Sequence, residues 1–200
     1  MARMKGPNYK VARRLSFSIL ETGEELQKKP YVPGQHGPTQ RVKLSNYGLQ
    51  LREKQRIRNM YQVNEKQFHN TYIRALKMPG NTGHNFLTLL ESRLDNIVYR
   101  MGFATTRRAS RQLVAHGHIL VNGKKVDIPS FQCKPGMEIE VKEKSKKLQV
   151  INDALESKAS FVAFVDVDKE NKKGKYVRLP ERNELNTEIN EALVVEYYNR

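Results

Sequence analysis

The chain has a single cysteine, Cys133, so no intrachain disulfide can form and a C-x-x-C metal knuckle cannot be built. A reducing, cytosolic compartment is therefore expected. No run of 18 apolar residues is present, and the N-terminal stretch MARMKGPNYKVARR lacks the apolar segment of a signal peptide. A soluble, unexported protein with no membrane partner is expected. Acidic residues are scarce in the first three quarters. Residues 1–60 hold 13 Lys+Arg against 4 Asp+Glu, and residues 61–147 hold 15 against 7. The apolar fraction, 38%, is low for a globular chain, so surface outweighs core.

What is abundant is positive charge. The net charge is +15 at neutral pH, which points to a polyanionic partner and most simply to nucleic acid. Residues 148–200 reverse the balance, with 8 Lys+Arg against 10 Asp+Glu, so the tail is suited to a basic neighbour. Two hundred residues allow one or two domains. There is no internal repeat or low-complexity tract.

Residues 1–44 carry Pro7, Pro30, Pro33 and Pro38 with interspersed glycines and little periodicity. Apart from a short helix around Val11 to Ile19, this stretch reads as an extended basic arm that orders on its target. From Ser45, an N-cap residue, SNYGLQLREKQRIRNMY is a helix dense in cations. A second helix starts at Asn64 with Gln67 in the capping-box position, and its stripe Phe68, Tyr72, Leu76 is assigned to the core. A third, the longest, follows Asn81-Thr82-Gly83, presents Leu90, Leu94, Ile97, Val98 and Met101 on one face, and stops at Gly102.

Thr105 or Thr106 caps a fourth helix that ends at His116-Gly117. At about 100° per residue, Arg107, Arg108 and Arg111 share one face, opposite Ala109, Ser110, Leu113 and Val114. Asn122-Gly123 between Ile119-Leu120-Val121 and Lys124-Lys125-Val126 signals a hairpin with a type I′ turn, and Met137 to Val141 alternates as a third strand. A helix at Leu148 to Ser157 and a second hairpin, Phe161 to Val167 with Lys175 to Leu179, follow. The final INEALVVEYYNR is too rich in β-branched residues to be assigned a helix.

His116, His118 and Cys133 include metal-ligand types, but Gly117 separates the histidines and no fourth ligand is apparent. PGNTGHN lacks the lysine and preceding strand of a phosphate-cradling loop. Glu91 and Asp95 lie one helical turn apart, yet Arg93 and Arg100 are close enough to neutralise them as ion pairs. No nucleophile or triad is evident, so no enzyme and no cofactor are expected. The three arginines beside a lysine-tipped hairpin are different: convergent guanidinium forks and amides suit phosphate oxygens and RNA 2′-hydroxyls.

Leu90 to Val114, LESRLDNIVYRMGFATTRRASRQLV, followed by HGHILVNGKKVDIPS, resembles an RNA-binding module shared by pseudouridine synthases, some aminoacyl-tRNA synthetases and heat-shock RNA binders. PGQHG at Pro33 to Gly37, SNYGLQLREKQ at Ser45 to Gln55 and LPERNELNTEINEALVVEYY at Leu179 to Tyr198 narrow this to the bacterial small-subunit ribosomal protein four family. Many members of that family bind zinc through four cysteines in the arm. This arm has none, so the zinc-free form is expected.

The resemblance implies an α+β fold: a basic N-terminal arm (1–44), and an all-helical domain (45–91, completed by 180–200) interrupted by a small mixed domain (92–179). The RNA-binding module would occupy about 92–155, with two helices against a small antiparallel sheet. It further implies a structural constituent of the small ribosomal subunit, binding the 5′ domain of 16S rRNA and nucleating assembly. Neighbours would be ribosomal proteins three and five and mRNA near the entry channel, with protein five meeting the second hairpin and tail and sharing an influence on accuracy. The rRNA contacts carried over are Arg3, Arg13, Arg14, Gln35, His36, Arg41 and Lys43 in the arm, and Tyr47, Arg52, Lys54, Gln55, Arg56 and Arg58 in the first helix after it. In the module they are Arg107, Arg108, Arg111, Gln112, His116, His118, Asn122 and Lys124. Two rival functions share the module: a free-standing RNA-binding translational regulator, and the RNA-binding subunit of an RNA-modifying enzyme.

Overall fold

The structure, a computed structural model, describes residues 6–39, 43–158 and 160–199. It divides into two compact units, one drawn from Met1–Phe86 with Thr187–Arg200 and the other from Leu87–Asn186. Architecture is mixed α+β. Among the described residues no helix is long and apolar enough to cross a membrane.

The first unit contains α1 (Asn8–Leu15), α2 (Glu24–Gln27), α3 (Asn46–Met60), α4 (Glu65–Leu76) and α9 (Glu191–Tyr198). Ser45 starts α3 as expected, its Oγ accepting the Gly48 N–H at 3.2 Å. The stretch expected to be an extended arm is instead partly folded. Ala12, Leu15, Phe17 and Ile19 are buried, and Arg56 of α3 donates to the Leu15 carbonyl at 3.2 Å. A buried carboxylate organises the loop between α1 and α2: Glu25 Oε1 accepts the Leu20 N–H at 2.8 Å and Oε2 accepts the Ser18 hydroxyl at 2.9 Å. With those donors supplied locally, burying Glu25 leaves no orphaned charge.

In α4 Phe68 and Tyr72 reach the core, where Phe68 meets Phe86 edge-on with centroids 4.8 Å apart. Leu76, assigned to the same stripe, is 48% exposed, and the last buried position is Ala75. The side chain of Asn64 makes no cap hydrogen bond. The C-terminal segment, assigned no helix from its composition, forms α9. Asn190 Oδ1 caps it by accepting the Ala192 N–H at 3.1 Å, and Val194 is buried. Weak helix propensity at two valines yields to this cap and to packing on α3 and α4.

The second unit contains α6 (Leu94–Arg100), α7 (Arg107–Ala115), α8 (Gln149–Ser157) and strands β1 (Ile119–Val121), β2 (Lys124–Lys125), β3 (Glu138–Val141), β4 (Val165–Asp168) and β5 (Lys173–Tyr176). The long third helix is in fact two, α5 (Thr82–Glu91) and α6, broken at Ser92-Arg93, and α3 is the longest of the helices described. Arg93 is extended (φ −69°, ψ 140°) because residues 129–133 take the backbone groups: Leu94 N–H donates to Phe131 O, Asp95 N–H to Pro129 O, and Cys133 N–H to Ser92 O. The apolar stripe itself survives. Leu94, Ile97, Val98 and Met101 all enter a core with Phe103, Val114, Ile119, Ile139, Phe164 and Tyr176.

The strands form one antiparallel sheet in the order β2-β1-β3-β5-β4, so the second hairpin extends the first sheet through β3 and β5. Its return strand lies at Lys173–Tyr176, earlier than the Lys175 to Leu179 read from the sequence. The face of this sheet turned away from the core is a charge checkerboard. Glu138 and Glu140 stand opposite Lys175 and Lys173, which stand opposite Asp166 and Asp168.

Candidate nucleic-acid interface

Helix α7 begins where Thr106 Oγ1 accepts the Ala109 N–H at 3.2 Å. It ends at Gly117 (φ 71°), whose left-handed backbone lets the His118 N–H close back onto Leu113 O at 3.1 Å. The chain then enters β1 directly. Asn122 (φ 48°) and Gly123 (φ 74°) form the type I′ turn that the sequence specifies. Asn122 Oδ1 accepts the Glu138 N–H at 2.9 Å, so its amide N–H groups remain directed away from that bond.

The three arginines of α7 do not share a fate. Arg108 is exposed. Arg107 is buried: its Nε–H donates to Asn96 Oδ1 at 2.8 Å and its guanidinium lies 4.5 Å from the Tyr99 ring centroid. Arg111 donates from Nε and Nη2 to Asp95 Oδ2 at 2.9 and 2.6 Å, and Arg93 reaches the same carboxylate at 2.8 Å. Glu91, fully buried, takes Arg100 at 2.7 Å and the Asn96 amide at 2.5 Å. The ion pairing expected of Glu91 and Asp95 is thus present, and it also takes up Arg111, one of the cations assigned to an RNA face, while Arg107 is held by Asn96 and Tyr99.

Exposed cationic and amide groups of this region include Arg108 and Gln112 on α7, His116 at its C-cap, and Asn122, Lys124 and Lys125 on the hairpin. Gly117 packs against Lys125, since a Cβ there would lie 2.2 Å from Lys125 Cε. His118 is half-buried, its Nδ1 2.8 Å from Ser145 Oγ, and its ring centroid is 6.1 Å from that of His116. Cys133 lies in the core, where burial and the nearby Asp95 charge push its thiol up to about 12. Among the described residues no group of three His, Cys, Asp or Glu is placed to hold a metal.

In the first unit, Lys54 is buried against Glu65 at 2.7 Å and over the Tyr197 ring at 4.5 Å. Arg58 reaches Glu65 at 3.4 Å, and Arg56 pairs with Glu53 at 3.1 Å. Lys54 and Arg58 thus tie α3 to α4, and Arg56 ties α3 to the end of α1 through the Leu15 carbonyl. Arg52 and Gln55 are half-exposed, and Tyr47, 47% exposed, has its ring centroid 5.8 Å from that of Tyr197. Arg14, Gln35, His36 and Lys43 are exposed, while Arg13 is half-buried and donates to Tyr31 O at 3.0 Å. Arg3 and Arg41 lie outside the described residues.

Sequence reasoning did not find the roles of Asp95, Asn96 and Glu25. Asp95 is visible as an arginine partner, but the partners the sequence offers are Arg93 and Arg100, and Arg111 is not among them. Nothing local marks Asn96 or Glu25, whose partners depend on loop paths.

Residues 3–91 match the family described as ribosomal protein S4/S9 N-terminal domain, and residues 92–139 match the S4 domain. Over 200 residues, covering all of both chains, the sequence is 61% identical to small ribosomal subunit protein uS4 of Geobacillus sp. (strain WCH70) and 60% identical to that of Geobacillus stearothermophilus. The protein of the same name from Acholeplasma laidlawii (strain PG-8A) is 58% identical over the same full span.

Proposed function

Since the chain belongs to the small ribosomal subunit protein uS4 family, we propose that it is a structural, non-catalytic component of the small subunit that binds 16S rRNA. The observation that carries the reading is the set of exposed cationic and amide groups Arg108, Gln112, His116, Asn122, Lys124 and Lys125 on α7, its C-cap and the hairpin. Guanidinium, ammonium and amide donors set on a rigid helix and turn can follow phosphates and 2′-hydroxyls of folded RNA. The outer face of β3, β5 and β4, where Glu138, Glu140, Asp166 and Asp168 outnumber Lys173 and Lys175, is ill-suited to a polyanion and is left to solvent or protein.

Family resemblance supports a finer proposal. The protein grips the 5′ domain of 16S rRNA as a primary binder and nucleates assembly of the body by stabilising a helix junction in its competent shape. Ribosomal protein five lies against the β4–β5 hairpin and the acidic tail, and together they influence decoding accuracy. Ribosomal protein three and mRNA near the entry channel are further neighbours. Arg14, Gln35, His36, Lys43, Tyr47 and Arg52 extend the rRNA contact from the first unit. Arg107 and Arg111 serve the fold that presents the exposed groups of α7 and the hairpin.

Co-sedimentation tests the assignment. Stoichiometric migration of the protein with small subunits in a cell lysate is expected, and its absence from them would leave a free-standing regulator as the better account.

A further inference from the structure

Between α1 and α2 lies a cavity of about 490 Å³, within the ~300–1,000 Å³ range of pockets that take small organic groups. Its lining includes Tyr9, Arg13, Glu24, Gln27, Lys28 and Lys29. We propose that this cavity takes one unstacked nucleotide of a single-stranded RNA segment, with the base on Tyr9 and its phosphates on Lys28 and Lys29. The proposal rests on the RNA-binding reading above and assigns it a second, chemically different site.

Tyr9 and Arg13 are one helical turn apart on α1, so their side chains are neighbours on one face. The Arg13 guanidinium is fixed, with Nε donating to Tyr31 O at 3.0 Å and the group lying 5.0 Å from the Tyr31 ring centroid. A planar ring beside an anchored guanidinium is the platform on which unpaired bases stack. Tyr9 is 50% exposed, so its ring is accessible to a base from solvent.

The polar groups divide accordingly. Lys28 and Lys29 are exposed at the rim and supply cations for the backbone. The Gln27 amide offers one donor and one acceptor side by side, and the Glu24 carboxylate accepts, so both can meet the Watson–Crick edge of a base. Glu25, which also lines the cavity, is already occupied by Ser18 and Leu20 and serves as the floor's anchor. Arg13 and Glu25, which frame the cavity, are therefore fixed before any ligand arrives, which lowers the ordering cost of binding.

The test uses the full chain with three probes: a short single-stranded oligoribonucleotide, a blunt-ended RNA duplex and adenosine monophosphate. Tyr9→Ala should weaken oligomer binding about five- to hundredfold, the usual worth of one stacked base, and leave duplex binding unchanged. Tyr9→Phe keeps the platform and should bind the oligomer as the parent does. Lys28→Ala with Lys29→Ala should weaken the oligomer and flatten its salt dependence, a readout that holds even if Tyr9→Ala unfolds the arm. Unchanged oligomer binding in Tyr9→Ala or in the lysine pair overturns the proposal, as does equal loss in Tyr9→Phe. Adenosine monophosphate binding as tightly as the oligomer would make this a free-nucleotide site and also overturn it. Failure here with intact binding of an rRNA fragment leaves the ribosomal reading standing, whereas loss of all RNA binding by the parent protein removes both.

Discussion

Arg111 and Asp95 are joined by two short hydrogen bonds to a single carboxylate oxygen, 2.9 Å from Nε and 2.6 Å from Nη2. This pair ties α7 to the start of α6, where Asp95 is itself buried and shared with Arg93. A helical wheel of α7 alone places Arg107, Arg108 and Arg111 together and makes them equivalent. The neighbouring helix separates them, because a buried carboxylate and a buried amide must find donors, and the nearest donors are these arginines.

Arg107→Ala should therefore act on stability. It leaves Asn96 Oδ1 without its donor and opens space over Tyr99, at a cost of about 2–3 kcal/mol in urea unfolding. Arg108→Ala should shift unfolding by less than about 0.5 kcal/mol while weakening binding of a 5′-domain rRNA fragment by about 1 kcal/mol. An Arg107→Ala protein with normal melting and poor RNA binding would reverse the assignment.

Salt dependence separates the exposed groups from the buried network. Replacing Arg108, Lys124 and Lys125 together by Ala should reduce the slope of log affinity against log salt by about 2–3, near one per phosphate released. Arg93→Lys, which keeps the charge inside the fold, should leave that slope unchanged. Equal slopes for the parent and the triple variant would show that these three side chains do not meet phosphates.

The local signals are legible in the sequence: the Ser45 cap, the Thr106-to-Gly117 helix and the Asn122-Gly123 turn each depend on a few adjacent residues. What escaped depends on distant segments. The break at Ser92-Arg93 exists because residues 129–133 compete for the backbone of an otherwise continuous amphipathic helix. The second hairpin merges with the first sheet through β3 and β5, a pairing of strands more than thirty residues apart. In the same way the exposed half of the candidate interface was legible from charge and turn chemistry, while Arg107, Arg111, Lys54 and Arg56 were claimed by partners that only the fold reveals.

Glu65 supplies a pH-dependent contribution to the first unit. Burial pushes its carboxyl up, but hydrogen bonds from Lys54 and the Tyr198 hydroxyl, with the charges of Lys54 and Arg58, outweigh this and hold it below the ordinary 4.5. A depressed carboxyl contributes stability that is fully present above its ordinary value and is lost as pH falls through the folded value. Unfolding midpoints measured in urea should therefore decline below about pH 4.5, and Glu65→Gln should flatten that part of the decline. The same variant should be less stable at neutral pH, because Lys54 is buried and would lose its anionic partner. An acid limb unchanged by Glu65→Gln would assign the decline to other carboxylates.

Gly117→Ala joins the fold to the interface. Gly117 sits at φ 71°, where an L side chain is strained by about 1–2 kcal/mol, and the added Cβ would lie 2.2 Å from Lys125 Cε and 3.0 Å from its Nζ. The atoms it meets belong to the flexible end of a lysine, so the side chain can swing aside and the strain stays mainly in the backbone. Two effects are expected from one methyl group: a loss of about 1–2 kcal/mol in thermal or urea unfolding, and weaker rRNA binding because Lys125 is displaced from beside α7. Lys125→Ala separates them, since it removes the cation and leaves Gly117 unstrained. It should reproduce the binding loss with little change in stability. If Gly117→Ala destabilises the protein while RNA affinity stays at the level of the parent, Lys125 is a solvated side chain, and the contact ends at Lys124.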